Sequence, residues 1–171
     1  MAGPVAVLGL DPGSQVTGYG VVRESSGRAE LVAVGTIRTP SGGDMAERLG
    51  VIYTRVAELI ALHAPAEAAI ESVFVSKNTA SALKLGQARG AAMAACAVAG
   101  LTVAGYPPTQ VKKSLVGVGR AEKEQVAFMV AQILGVKKPD WALDASDALA
   151  VAICHLNERR LRRLTGRGGV G

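Results

Sequence analysis

Four acids in this 171-residue chain sit where their charge asks for an explanation. Asp11 ends the apolar run "VAVLGLD" just before Pro-Gly. Glu71 lies within "EAAIESVF", and Asp144 and Asp147 open the apolar stretch "DASDALAVAICH". On a helix, acids three positions apart share one face, with Cβ atoms roughly 5–6 Å from each other. If the strands carrying Asp11 and Glu71 are parallel neighbours, those carboxylates start from backbones about 5 Å apart, at the strand ends where such sheets bind ligands. Four anions gathered so closely repel, and some must take up protons unless cations are present. Mg²⁺ binds through oxygen and leaves coordination positions for phosphate oxygens. Two such ions about 4 Å apart hold the attacking and leaving oxygens of an in-line phosphoryl displacement. The chemistry indicated is phosphodiester hydrolysis without a covalent side-chain nucleophile. Ordinary roles stay open: Asp11 as a turn residue, Asp144 as an N-cap, Asp147 as a partner of the helix dipole. Glu71 is harder to place that way, because a lone glutamate in a buried apolar strand is costly.

The elements that must position these acids can be read from pattern. "VAVLGLDPG" is a buried strand ending at residue 11. "TGYGVVRE" and "AELVAVGTIRT" follow as strands with Gly27 between them, an antiparallel start. Asp44 begins a helix, with Glu47 three residues on, and Pro65 ends it. "EAAIESVF" is a second buried strand. Residues 78–99 form an Ala-rich helix, "LTVAGY" a strand, and "PPTQVKKSLVG" a helix opened by prolines. Residues 121–134 and the stretch from about 143 to the arginine cluster complete the helices. The order βββαβαβααα predicts an α/β fold: a five-stranded mixed sheet, three strands antiparallel and then two parallel, flanked by helices.

Composition narrows the class. Hydrophobic residues make up 49% and charged residues 19%, which fits a globular chain and excludes a disordered one. No apolar run is long and uninterrupted enough to span a bilayer, so no membrane association is expected. Cys96 and Cys154 lie in apolar stretches without metal-ligand spacing and read as reduced core thiols, which suits a cytoplasmic protein. The net charge of +5 favours a polyanionic partner without establishing one.

Five motifs occur in order: "GLDPGSQVTGYGVV" (9–22), "AIESVFVSKN" (69–78), "SALKLGQARGAA" (81–92), "TQVKKSLVGVGRAEKEQV" (109–126) and "DASDALAVAICH" (144–155). Together they resemble the RuvC family of Holliday junction resolvases, over about residues 5–157. "DPGS" also resembles the first phosphate loop of actin-like ATPases, but the chain is too short for two lobes and has no second Asp-Gly loop. The RuvC resemblance implies a ribonuclease H-like fold and a homodimer that binds four-way junction DNA. It also implies paired symmetric nicks leaving 5′-phosphate and 3′-hydroxyl ends, two Mg²⁺ per subunit with Mn²⁺ able to substitute, and a RuvA–RuvB branch-migration partner. The family's acidic quartet falls on Asp11, Glu71, Asp144 and Asp147, as catalytic residues and metal ligands. Ser72 stands where many members have glutamine.

The resemblance also assigns DNA contacts. Phe74 matches a phenylalanine that stacks on an unpaired base, an interaction worth roughly 1–3 kcal/mol per base. Lys112 and Lys123 match lysines facing the scissile region, and Lys123 joins the catalytic set. Lys113 and Arg120 are close by in sequence, with Gly117 and Gly119 allowing close backbone approach. Lys77 and Asn78 are further candidates for reading DNA. The small-residue stripe Ala82, Gly86, Gly90 and Ala94 suits packing on the chain's own sheet or a two-fold contact; the resemblance favours the dimer. His63 and His155 are taken as structural, and Trp141 as an anchor on the core. The nuclease domain is expected over 1–157, with 158–171 a basic, Gly-rich, partly disordered tail.

Overall fold

The structure is a computed structural model that describes residues 3–72 and 78–166. Its strands are β1 (Val5–Asp11), β2 (Val16–Ser25), β3 (Arg28–Arg38), β4 (Glu67–Glu71) and β5 (Thr102–Tyr106). They form one sheet in the order β3-β2-β1-β4-β5. β1, β2 and β3 pair antiparallel, while β4 runs parallel to β1 and β5 parallel to β4. This is the expected mixed sheet. Parallel pairing of β1 with β4 brings the ends bearing Asp11 and Glu71 to the same edge.

Two layers of helices cover the sheet. α1 (Met45–His63) and α2 (Thr79–Val98) bury Ile52, Val56, Ala88, Ala92 and Cys96 against Leu8, Leu10, Val21 and Ile70 on one face. α3 (Pro108–Val116), α4 (Lys123–Leu134) and α5 (Leu143–Leu164) pack on the other face, around Val7, Val22 and Ala69. Local signals set the helix starts. The Asp44 carboxylate accepts from the Glu47 N–H at 2.8 Å, and Pro108 opens α3 where its missing N–H costs nothing.

α5 is the inner helix, buried nearly throughout from Ala145 to Leu156. It lies on β1 and β2 because the strands below lack side chains at the crossing points. A Cβ on Gly9 would lie 2.1 Å from the Ala148 carbonyl oxygen, and one on Gly18 would lie 1.9 Å from that of Asp144. Real Cβ contacts are never so short. Backbone contact with the strands fixes where the helix begins.

α5 also runs on through the arginine cluster, so the boundary expected at residue 157 falls within a continuous helix. The continuation is held by charge: Arg159 pairs with Glu67, and Arg160 with Glu24 at 3.0 Å. Residues 167–171 lie outside the described residues. Among the described residues, no helix is long and apolar enough to cross a membrane.

Candidate active site

Three elements deliver the acids to one edge of the sheet. Asp11 pairs across to Gly18, and Gly18 touches the backbone of Asp144. The first turn of α5 therefore stands directly beside the end of β1. Carboxylate oxygens of Asp11, Asp144 and Asp147 lie within 4.8 Å of one another. Glu71 joins from β4 through a side-chain hydrogen bond with Asp11. All four line a cleft of about 330 Å³ together with Lys112, Lys123, Pro108, Val111, Val126, Ala150 and Val151. The N-cap of α5 is Ala142, which makes no side-chain cap bond, and Asp144 lies inside the first turn. The capping role left open for Asp144 is thus not the one it takes.

The electrostatics are those of an acid cluster awaiting counter-charge. Burial pushes the Asp11 carboxyl up to about 8, with further upward pressure from Glu71, Asp147, the hydrogen bond to Glu71, and Asp144. Burial also raises Glu71, although its hydrogen bond with Asp11 and the nearby Lys123 and Lys112 pull it back. Asp147 is raised by burial and eased by Lys123. Without a cation, burial and mutual repulsion favour a proton shared between Asp11 and Glu71. Lys123 is the first residue of α4, at the positive end of a helix dipole where a cation is disfavoured. Lysine there makes sense beside acids or phosphate.

A family model described as "Crossover junction endodeoxyribonuclease RuvC" matches residues 7–155. The chain belongs to the RuvC family. It is 66% identical over 160 residues to the RuvC of Solidesulfovibrio magneticus, covering 94% of each chain. With that of Nitratidesulfovibrio vulgaris, identity is 60% over 97% of this chain and 99% of the relative. The Thermus thermophilus RuvC solved in complex with Holliday junction substrate superposes with a TM-score of 0.86 at 37% identity, over 92% of this chain and 96% of that one. The yeast mitochondrial resolvase Ydc2, 10% identical with a TM-score of 0.66, shares the fold. The sheet and helices are thus those of a ribonuclease H-like RuvC nuclease, and the chain is a crossover junction endodeoxyribonuclease.

RuvC membership carries divalent-metal use, and the donor set fits it. Every donor is a carboxylate oxygen, as hard cations require, and the three closest are within bridging distance of a common centre. The raised proton affinity of Asp11 and Asp147 is what a bound cation would relieve.

The remaining sequence expectations sort by position. Lys112 is half-buried in the cleft wall and Lys123 more open; Lys113 and Arg120 are exposed and do not line the cleft. Gly117 is the left-handed C-cap of α3, with φ 89°, which accounts for its glycine without DNA. Phe74 and Lys77 lie outside the described residues. Asn78 caps α2, its side chain accepting from the Ser81 N–H at 3.2 Å. In the α2 stripe Ala82 is half-buried, while Gly86, Gly90 and Ala94 are exposed; Ala88, Ala92, Ala95 and Cys96 face the sheet instead. The stripe is therefore not the face that packs on the chain's own sheet.

His155 stays away from the acids, 5% exposed, with Nδ1 2.7 Å from the Tyr106 hydroxyl and Nε2 2.5 Å from Glu67. Trp141 packs on the α5-side core. The sequence reading missed the close-approach glycines Gly9 and Gly18 and the apolar wall of Val111, Val126 and Val151. The glycines had a signal, since glycine inside a strand often marks close approach by another backbone.

Proposed function

We propose that Asp11, Glu71, Asp144 and Asp147 hold two Mg²⁺ ions and that the chain, as a homodimer, resolves four-way DNA junctions by paired symmetric nicks. In each nick water adds across the bond between phosphorus and the 3′ oxygen, leaving a 5′-phosphate and a 3′-hydroxyl. When bound, the ions lower the pKa of the attacking water and neutralise charge on the phosphate. The four carboxylates orient that assembly from three elements whose crossing is fixed by backbone contact at Gly18. Lys123 and Lys112 supply fixed positive charge at the cleft, where charge builds on the phosphoryl oxygens. Val111, Val126 and Val151 give the cleft an apolar wall against which the carboxylates are held.

The single observation that carries this reading is the convergence of the acids from β1, β4 and α5 in a chain of the RuvC family. The exposed Gly86–Gly90–Ala94 stripe of α2 supports a dimer contact, since a surface without protruding side chains lets another helix approach closely. A DNA substrate and two unpaired buried thiols, Cys96 and Cys154, support action in the cytoplasm. RuvA–RuvB would deliver the junction. Phe74 stacking on an opened base, with Lys77, Asn78, Lys113 and Arg120 holding flanking DNA, completes the proposal.

Synthetic four-way junction, linear duplex and RNA–DNA hybrid, incubated with Mg²⁺, Mn²⁺ or EDTA and the product ends mapped, test it. Symmetric ligatable nicks confined to the junction and abolished by EDTA are expected. Equal cutting of all three substrates would mark a general nuclease.

A further inference from the structure

Lys112 and Lys123 place positive charge on one side of the acid cluster, beside Glu71 and Asp147. Arg38 sits on the other. It ends β3 and pairs with Val16, two residues beyond the Thr36–Gly18 pair whose Gly18 faces Asp11. Paired residues project to the same face of a sheet and alternate residues share it. Asp11, Gly18, Thr36 and Arg38 therefore share the face on which α5 lies. Val34 confirms the parity by packing on the α5-side core, and Ile37 by packing on the opposite one. Two strand spacings across and two residues along put the Arg38 backbone about 12 Å from that of Asp11. That separation is a few nucleotides along a DNA strand.

The Arg38 side chain is exposed and makes no hydrogen bond or ion pair with any described residue. Arg159 and Arg160, by contrast, are engaged by Glu67 and Glu24. The ledge beneath Arg38 is rigid. The Thr39 hydroxyl donates to the Ser14 carbonyl at 2.8 Å, and the Thr39 N–H donates to that of Gln15 at 3.0 Å. The Thr17 hydroxyl closes the same turn, donating to the Gly13 carbonyl at 3.2 Å and accepting from the Gly13 N–H at 3.3 Å. The turn after Asp11 and the end of β3 thus move as one piece with the acids, and the guanidinium is left free to bind.

We propose that Arg38 is a DNA-binding residue, anchoring a backbone phosphate of the junction strand where it leaves the acid cluster on the β3 side. The inference rests on the junction-resolving function above and extends its binding surface across the sheet edge. Arg38 positions DNA and does not touch the reacting phosphate.

Affinity for a fluorescent synthetic four-way junction is measured against salt concentration, in EDTA and in Ca²⁺, for wild type, Arg38→Gln and Arg38→Lys. Arg38→Gln is expected to weaken binding about 5–10-fold and to reduce the slope of log affinity against log salt by about one per subunit. Arg38→Lys should keep the slope. At limiting enzyme, Mg²⁺-dependent cutting by Arg38→Gln should fall in step with its loss of junction affinity. Circular dichroism and melting establish that each variant is folded, as expected for an exposed strand end. Wild-type slope and affinity in folded Arg38→Gln overturn the proposal for Arg38 alone. Failure of wild type to bind the junction in either condition overturns the functional reading and this inference with it.

Discussion

Replacing Asp11 with asparagine should make the metal-free protein more stable at neutral pH, even though it removes a proposed ligand. Folding raises the Asp11 carboxyl from 3.8 to about 8, chiefly by burial. Between those values the folded chain holds a proton that the unfolded chain has released. Stability in the absence of metal therefore falls as pH rises from about 4 to about 8. At pH 7 roughly three decades of this window have been crossed, a ceiling of about 4 kcal/mol at 1.36 kcal/mol per decade. Asp11 is only partly buried in an open cleft, and water entry reduces the cost to about 2 kcal/mol. Asparagine carries no charge and can still donate to Glu71, as the protonated acid does. For a chain of this size 1 kcal/mol moves the melting temperature by about 2–4 °C. Asp11→Asn should then melt about 4–8 °C above wild type in EDTA at pH 7, and within about 3 °C of it at pH 5. Adding Mg²⁺ at pH 7 should close the gap by raising wild type far more than the variant. Melting by circular dichroism at the two pH values, with and without Mg²⁺, reads all of this. A variant no more stable than wild type at pH 7, or equally advantaged at pH 5, would refute the account of Asp11 as a buried acid held in reserve for a cation.

Other outcomes follow from the same geometry. Gly18→Ala places a Cβ 1.9 Å from the Asp144 carbonyl oxygen, so α5 must shift; Mn²⁺ affinity should fall at least tenfold and cutting with it, measured by titration calorimetry and junction cleavage. Lys123→Met should slow cutting of a saturating junction about 10²-fold, a larger loss than the one it causes in junction affinity in EDTA. Glu67→Ala strands buried His155 and leaves Arg159 without its carboxylate; a loss of about 1–3 kcal/mol in urea unfolding is expected. Because that cluster is remote from the cleft, Mn²⁺ affinity of folded Glu67→Ala should stay at the wild-type value.

The strands and helices were legible because their signals are local. Alternating or continuous apolar runs, Asp44 before a helix, paired prolines before α3 and glycine between β2 and β3 each act within a few residues. The four acids were legible as unusual, Glu71 most of all, since a buried strand tolerates no idle charge. Motif order then named the family, and with it the lysines. Other features depend on neighbours far apart in sequence. Asp144 reads equally well as a cap until the helix is seen to start at Leu143, with Ala142 in the cap position. The arginine cluster reads as a loose basic tail until Glu67 and Glu24, some 90 and 136 residues away, are found holding Arg159 and Arg160.

The sequence alone determined the order of elements, the identity of the acids and the family they belong to, because propensity, hydrophobic period and motif are written in adjacent residues. Only the tertiary structure decided that Gly18 admits the backbone of Asp144, that Asp11 keeps its proton to about 8, and that Arg38 shares a face with the acids. Those facts arise from strand register and from burial by distant segments. Both are properties of the packed chain, and no local stretch of residues contains them.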